Sequence, residues 1–130
     1  MKGLYYFAHP YTAKDEAGNY VPEAEEANFQ ICNYRAGRLL TAGFNIYSPI
    51  SHTHPIHQAS PLLLSRHEHE MWYGLDLEFI AKTDFTGIIL APGWKASKGC
   101  VLERQAFEDM GGKAILYYDD VVSHCNHPEQ

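Results

Sequence analysis

The chain has 130 residues, enough for one domain with a sizeable core, and its 45% hydrophobic and 20% charged residues are ordinary for a globular protein. A formal net charge of -6 argues against a broad surface for a nucleic-acid polymer, though one small phosphate pocket is compatible with it. No apolar run approaches the ~20 residues of a membrane span, and the three cysteines, Cys32, Cys100 and Cys125, form no CxxC.

MKGLYYFA is followed by His9-Pro10 rather than by a small-residue cleavage site, so it does not read as a secretory signal. Together with widely spaced, reduced thiols this predicts a cytoplasmic protein. Gly3 to Ala8 is apolar on both faces and predicts a central strand. His9 to Val21 follows as a loop of 13 residues, a length common among binding loops and lids.

Pro22 to Thr41 predicts a helix. Pro22 suits the first turn, Glu23, Glu25 and Glu26 complement the positive end, and Gly43 marks the stop. Phe29, Cys32, Ala36, Leu39 and Leu40 form its expected buried stripe. Asn45 to Ser48 predicts a second strand stopped by Pro49. Ser51 to His69 reads as irregular, with a short helix near Leu62 to Arg66.

Met71 to Thr83 predicts a helix with Trp72, Leu75, Phe79 and Ile80 on its apolar stripe, and Asp76 falls on the same stripe. Thr86 to Ala91 predicts the third strand. Lys98 to Met110 predicts a helix closed by Gly111-Gly112, its stripe formed by Cys100, Ala106, Phe107 and Met110 with Glu103 among them. Ala114 to Tyr118 predicts the fourth strand. The domain is expected to span residues 1–118, with 119–130 a polar, peripheral tail.

Apolar strands alternating with helices predict an α/β domain with a parallel sheet of four to five strands and helices on both faces, flavodoxin- or Rossmann-like. Ligands in such sheets bind at the carboxyl ends of the strands, near a switch in strand order. His9-Pro10-Tyr11, Pro49-Ile50-Ser51 and Pro92 to Gly99 all project from that edge.

Three constellations carry possible chemistry. Asp76 and Glu103 are carboxylates on core-facing stripes, costly there unless paired, hydrogen-bonded or opened to a cleft. Two acids facing one cleft suit acid/base or nucleophilic chemistry at a sugar carbon, whereas an ordinary salt bridge is the structural alternative for either. The turn Ala96-Ser97-Lys98-Gly99 offers an N-cap and a helix N-terminus where an anion or a sugar hydroxyl can dock; plain capping is the alternative. It is neither a Walker loop nor a dinucleotide fingerprint. His52, His54, His57, His67 and His69 lie within 18 residues and raise a metal-dependent hydrolase as an alternative. HEHE is not HExxH, however, and hydrogen-bonding histidines around a ligand are the preferred reading, with no metal and no cofactor.

YYFAHPYT, GFNIYSPIS, GLDLEFIAKTDFTGIIL and GWKASKGCVLERQAF together resemble the nucleoside 2-deoxyribosyltransferase superfamily, which includes 2'-deoxynucleoside 5'-monophosphate N-glycosidases. The resemblance covers residues 3 to 118. It implies cleavage or transfer at the N-glycosidic bond of a small nucleoside or nucleotide, through a glycosyl-enzyme intermediate. Glu103 matches the nucleophile, Asp76 the acid/base partner, Tyr6 a positioning tyrosine and Ser97 a 5'-phosphate contact. Gly99, His9, Pro10, Tyr11, Ser51 and Trp94 complete the expected substrate site. The resemblance also implies a homo-oligomer. The family's nucleotide hydrolases carry a Gly-rich, basic loop after the first strand, where this chain has His9-Pro10-Tyr11-Thr12 and Lys14. That departure weakens the case for a 5'-phosphate, and the distinctive segment Ser51 to Glu70, expected to cover the base or gate the site, means that base identity does not carry over. A non-catalytic binding module for nucleotides or nucleoside derivatives is the alternative of the same fold. As nucleophile, Glu103 is expected to be ionised at neutral pH with Tyr6 or the Ser97 turn donating to it, and Asp76 to be raised.

Overall fold

The computed structural model describes residues 3–60 and 69–125. Four strands, β1 (Tyr5–Ala8), β2 (Ile46–Tyr47), β3 (Gly87–Leu90) and β4 (Ala114–Tyr117), form one sheet in the order β2-β1-β3-β4. Every pairing is parallel, with Tyr6 opposite Tyr47 on one side and Ile88 on the other. This is the flavodoxin-like order, with β1 and β3 central. Strand order therefore switches direction at β1, beside β3.

Successive side chains of a strand face opposite ways, and both central strands are buried throughout. Tyr5, Phe7 and Ile89 pack under α1 (Pro22–Thr41), meeting Cys32, Ala36 and Leu39. Tyr6, Ala8, Ile88 and Leu90 pack on the other face against α3 (His69–Lys82) and α4 (Lys98–Met110), meeting Ile80, Cys100 and Phe107. A β-carbon at Gly87 would collide with the Ala114 carbonyl, so the close approach of β3 to β4 requires glycine there.

Several expectations shift at the edges of elements. Leu40, Leu75 and Met110 are exposed, because Leu39, Ile80 and Phe107 take the inward positions on their helices. Pro49 starts a helix instead of merely stopping a strand. Helix α2 (Pro49–Ala59) occupies the start of the segment expected to be irregular. Proline at N1 costs no hydrogen bond, and Ile50, His54 and His57 then share one face. The short helix expected near residues 62–66 lies outside the described residues. The fourth strand ends at Tyr117, and Tyr118–Cys125 forms helix α5 rather than a peripheral tail, with Tyr118 and Val121 buried against Phe7 and Ile89. Among the described residues, no helix is long and apolar enough to cross a membrane.

Candidate active site

A cavity of about 460 Å³ opens at the carboxyl edge of the sheet, within the range of small-molecule pockets. The loop after β1 supplies His9, Tyr11 and Lys14. One face of α2 supplies Ile50, His54 and His57. A single 3-10 turn (Trp94–Ala96) after β3 leads into the start of α4, which supplies Ser97, Lys98 and Gly99. Trp72, Tyr73 and Asp76 of α3 and Glu103 of α4 complete the wall. The strand-order switch at β1 and β3 leaves this crevice, since the connections from the two strands run to opposite faces.

Glu103 is 7% exposed and lies on the inward face of α4 between Cys100 and Phe107. Its Oε2 accepts a hydrogen bond of 2.7 Å from the Tyr6 hydroxyl, a residue 97 positions away that is wholly buried on β1. Asp76 reaches the same point from α3, and its carboxyl interacts with that of Glu103. Asp76 Oδ1 is buried without a hydrogen-bond partner among the described residues.

Burial pushes the Glu103 carboxyl well up, the Asp76 charge pushes it further, and the Tyr6 hydroxyl pulls partly back. Burial raises Asp76 to about 6. Two carboxyls in contact cannot both ionise cheaply, so the pair holds one proton at neutral pH and titrates as a unit. The raised Asp76 matches expectation. Glu103 departs from it, because desolvation and the Asp76 charge outweigh the hydrogen bond from Tyr6. The Tyr6 phenol is itself held well above its ordinary range by burial and by Glu103.

Ser97 caps α4, its Oγ accepting from the Cys100 N–H at 3.3 Å. A β-carbon at Gly99 would sit 3.1 Å from Tyr73 Cε1, so glycine lets the Tyr73 ring close over this helix end. Lys14 and Lys98 add two cations to the cavity wall.

Pro10, Ser51 and Trp94 stand outside the cavity lining. Pro10 faces Gly93. Ser51 bonds Asn33 and Ser48, turned toward α1. Trp94 packs beside Tyr117 and Arg104, against the cluster of Tyr6, Cys100 and Phe107. Tyr6 lies behind Glu103 rather than on the open surface.

The histidine wall is organised in a way the sequence pattern did not resolve. His54 is 3% exposed; its Nε2 lies 2.7 Å from Glu26 Oε1 and its Nδ1 2.6 Å from the Tyr11 hydroxyl. Phe29 stacks on its ring at 4.2 Å, and Asn28 Nδ2 donates to the Tyr11 carbonyl, fixing the loop over α1. The spacing of Ile50, His54 and His57 was the available signal, and it is readable only if residues 49–59 are taken as a helix. His52 points elsewhere, to the Tyr47 hydroxyl. His67 lies outside the described residues, and among those described no three His, Cys, Asp or Glu side chains converge as metal ligands. His9 donates from Nδ1 to the Pro10 carbonyl and accepts from Arg35 at Nε2, which defines a neutral ring; burial and Arg35 lower its proton affinity.

No curated protein matches the chain. A family model does match, over residues 3–119, a span that includes every strand of the sheet and both carboxylates. The chain therefore belongs to the family described as Domain of unknown function (DUF1937).

Proposed function

We propose that the protein cleaves or transfers at the N-glycosidic bond of a nucleoside or nucleoside monophosphate, with Glu103 as nucleophile and Asp76 as acid/base. The observation that carries this reading is the pair itself: two carboxyls from neighbouring helices at one cavity, one of them anchored by Tyr6. The motif resemblance to the nucleoside 2-deoxyribosyltransferase superfamily supports it independently.

The shared proton lets one state serve both roles. With the proton on Asp76, Glu103 is a carboxylate oriented by Tyr6. Glu103 attacks the anomeric carbon, the C–N bond breaks, and its electron pair goes to the base as Asp76 delivers the proton. The product is a glycosyl ester on Glu103 and a neutral base. Water then attacks the same carbon and gives its proton to Asp76. The ester bond breaks back to Glu103, restoring the singly protonated pair. A second base in place of water makes the reaction a transfer. Lys14, Lys98 and the Ser97 turn favour a substrate that carries an anionic or hydroxylated 5' end. The spaced, reduced thiols support a cytoplasmic protein, and the motif resemblance supports a homo-oligomer.

Incubation with a panel of deoxynucleosides and their monophosphates, followed by chromatography, tests it. Free base is expected with the wild type and none with Glu103→Gln. Absence of base from every substrate overturns the enzymatic reading. The second reading, a nucleotide-binding module without turnover, is favoured by one observation: Glu103 is the carboxyl that burial pushes furthest up, and a protonated carboxyl is no nucleophile.

A further inference from the structure

The cavity's second wall carries a chain of hydrogen bonds that has a direction. Glu26 is half exposed at the outer end, and a carboxylate can only accept. Hydrogen bonds from Gln30 and His54 hold Glu26 below the usual carboxylate range, so it is ionised at neutral pH. His54 must therefore donate from Nε2, at 2.7 Å. A ring that donates from Nε2 and carries no second proton accepts at Nδ1, and the Tyr11 hydroxyl, 2.6 Å away, then spends its one proton there. Burial with Glu25 and Glu26 nearby keeps the Tyr11 phenol protonated, so it has that proton to give.

Tyr11 is a cavity residue. With its proton committed to His54, its oxygen offers the cavity lone pairs only. One of them faces His57 Nδ1 at 3.4 Å, and a phenolic oxygen has two. We infer that Glu26, His54 and Tyr11 form a directional relay that makes Tyr11 a hydrogen-bond acceptor for the ligand, so the group seated there must be an N–H or O–H donor. This rests on the glycosidic reading above for the ligand's class and deepens it. Within a nucleoside, the donor is either an amino group of the base or a hydroxyl of the sugar. Tyr11 would touch the ligand directly, whereas His54 and Glu26 are positioning residues. The approach of a carbonyl or ring nitrogen to the same oxygen would bring two acceptors together and is disfavoured.

Two measurements test the inference. The first needs no ligand: ¹⁵N NMR of the wild-type histidines should find the His54 proton on Nε2 and Nδ1 bare. A proton on Nδ1 overturns the relay. The second is calorimetry in the Glu103→Gln background, where the glycosidic bond stays intact, with 2'-deoxyadenosine, purine 2'-deoxyriboside and 2',3'-dideoxyadenosine. Loss of one good hydrogen bond should weaken binding about fivefold to tenfold. If the base amino group is the donor, purine 2'-deoxyriboside is the weak ligand; if the 3'-hydroxyl is, the dideoxynucleoside is. Tyr11→Phe should erase that difference, and Glu26→Gln, whose amide lets His54 adopt either tautomer, should reduce it. Equal binding of all three, or a difference that survives Tyr11→Phe, overturns the donor requirement. Binding of none overturns the glycosidic reading itself, whatever the tautomer.

Discussion

Replacing Asp76 by Asn tests the shared proton through stability rather than through activity. Asp76 has an ordinary value of 3.8 and stands at about 6 in the fold, mainly because it is buried. The folded state thus holds this proton more tightly than the unfolded chain does. Its stabilising contribution is complete below about pH 4 and is lost as pH rises through about 6. At ~1.4 kcal/mol per tenfold in proton affinity, ionised Asp76 costs the fold up to ~3 kcal/mol at pH 8. That figure is an upper limit, since Glu103 shares the proton and part of the cost belongs to the pair. Asn keeps the shape, carries no charge and can donate to Glu103. Asp76→Asn should therefore raise Tm by roughly 5–10 °C at pH 8 and leave it nearly unchanged at pH 4. Differential scanning calorimetry at the two pH values reads this directly. An equal effect at both, or a loss at pH 8, would refute the argument that desolvation and like charge dominate at this site.

Glycosidic cleavage should depend on pH as a bell: it falls below about 6, where the pair is doubly protonated and no carboxylate remains, and falls again at high pH as the proton on the acid is lost. A flat initial-rate profile between pH 5 and 8 contradicts the shared-proton mechanism. Tyr6→Phe should lower the single-turnover rate tenfold or more and cost about 1–3 kcal/mol in urea melts at pH 8, since it strips the phenolic donor from buried Glu103. Gly87→Ala should destabilise by about 1–3 kcal/mol in the same melts, because the new methyl meets the Ala114 carbonyl in the next strand; an unchanged midpoint would mean that β3 and β4 can separate at little cost. Val121→Asp should cost about 2–4 kcal/mol if α5 belongs to the core, whereas a peripheral tail would tolerate it within about 0.5 kcal/mol.

Local pattern was enough for the strands, for the helices that carry both acids and for the edge where the cavity lies. Gly3 to Ala8 and Thr86 to Ala91 are apolar on both faces, and only a central strand has a use for that. The period of α4 places Glu103 with Cys100 and Phe107, and the period of α3 turns Asp76 inward, so both acids stand out before any contact is known. Exposure at helix ends was harder to read. Leu40 and Met110 fit their stripes by spacing, but which of two adjacent apolar residues turns inward depends on where the sheet sits. Helix α2 is hidden in the sequence because Pro49, Pro55 and the polar positions Ser51, His52, Thr53 and Gln58 mask a periodic face that exists only against α1 and Tyr11.

The four strands, the three long helices and the presence of two acids on inward faces follow from side-chain periods along single segments, and so are legible in the chain before it folds. The chemical state of those acids is fixed by packing instead. Tyr6 reaches Glu103 across 97 residues, Asp76 joins it from another helix, and their proton affinities depend on burial and on one another. The Glu26–His54–Tyr11 chain is likewise a product of packing, because it draws on α1, α2 and the loop after β1. Proton affinity and hydrogen-bond direction are properties of an enclosed neighbourhood, and a linear chain has no enclosure until it folds.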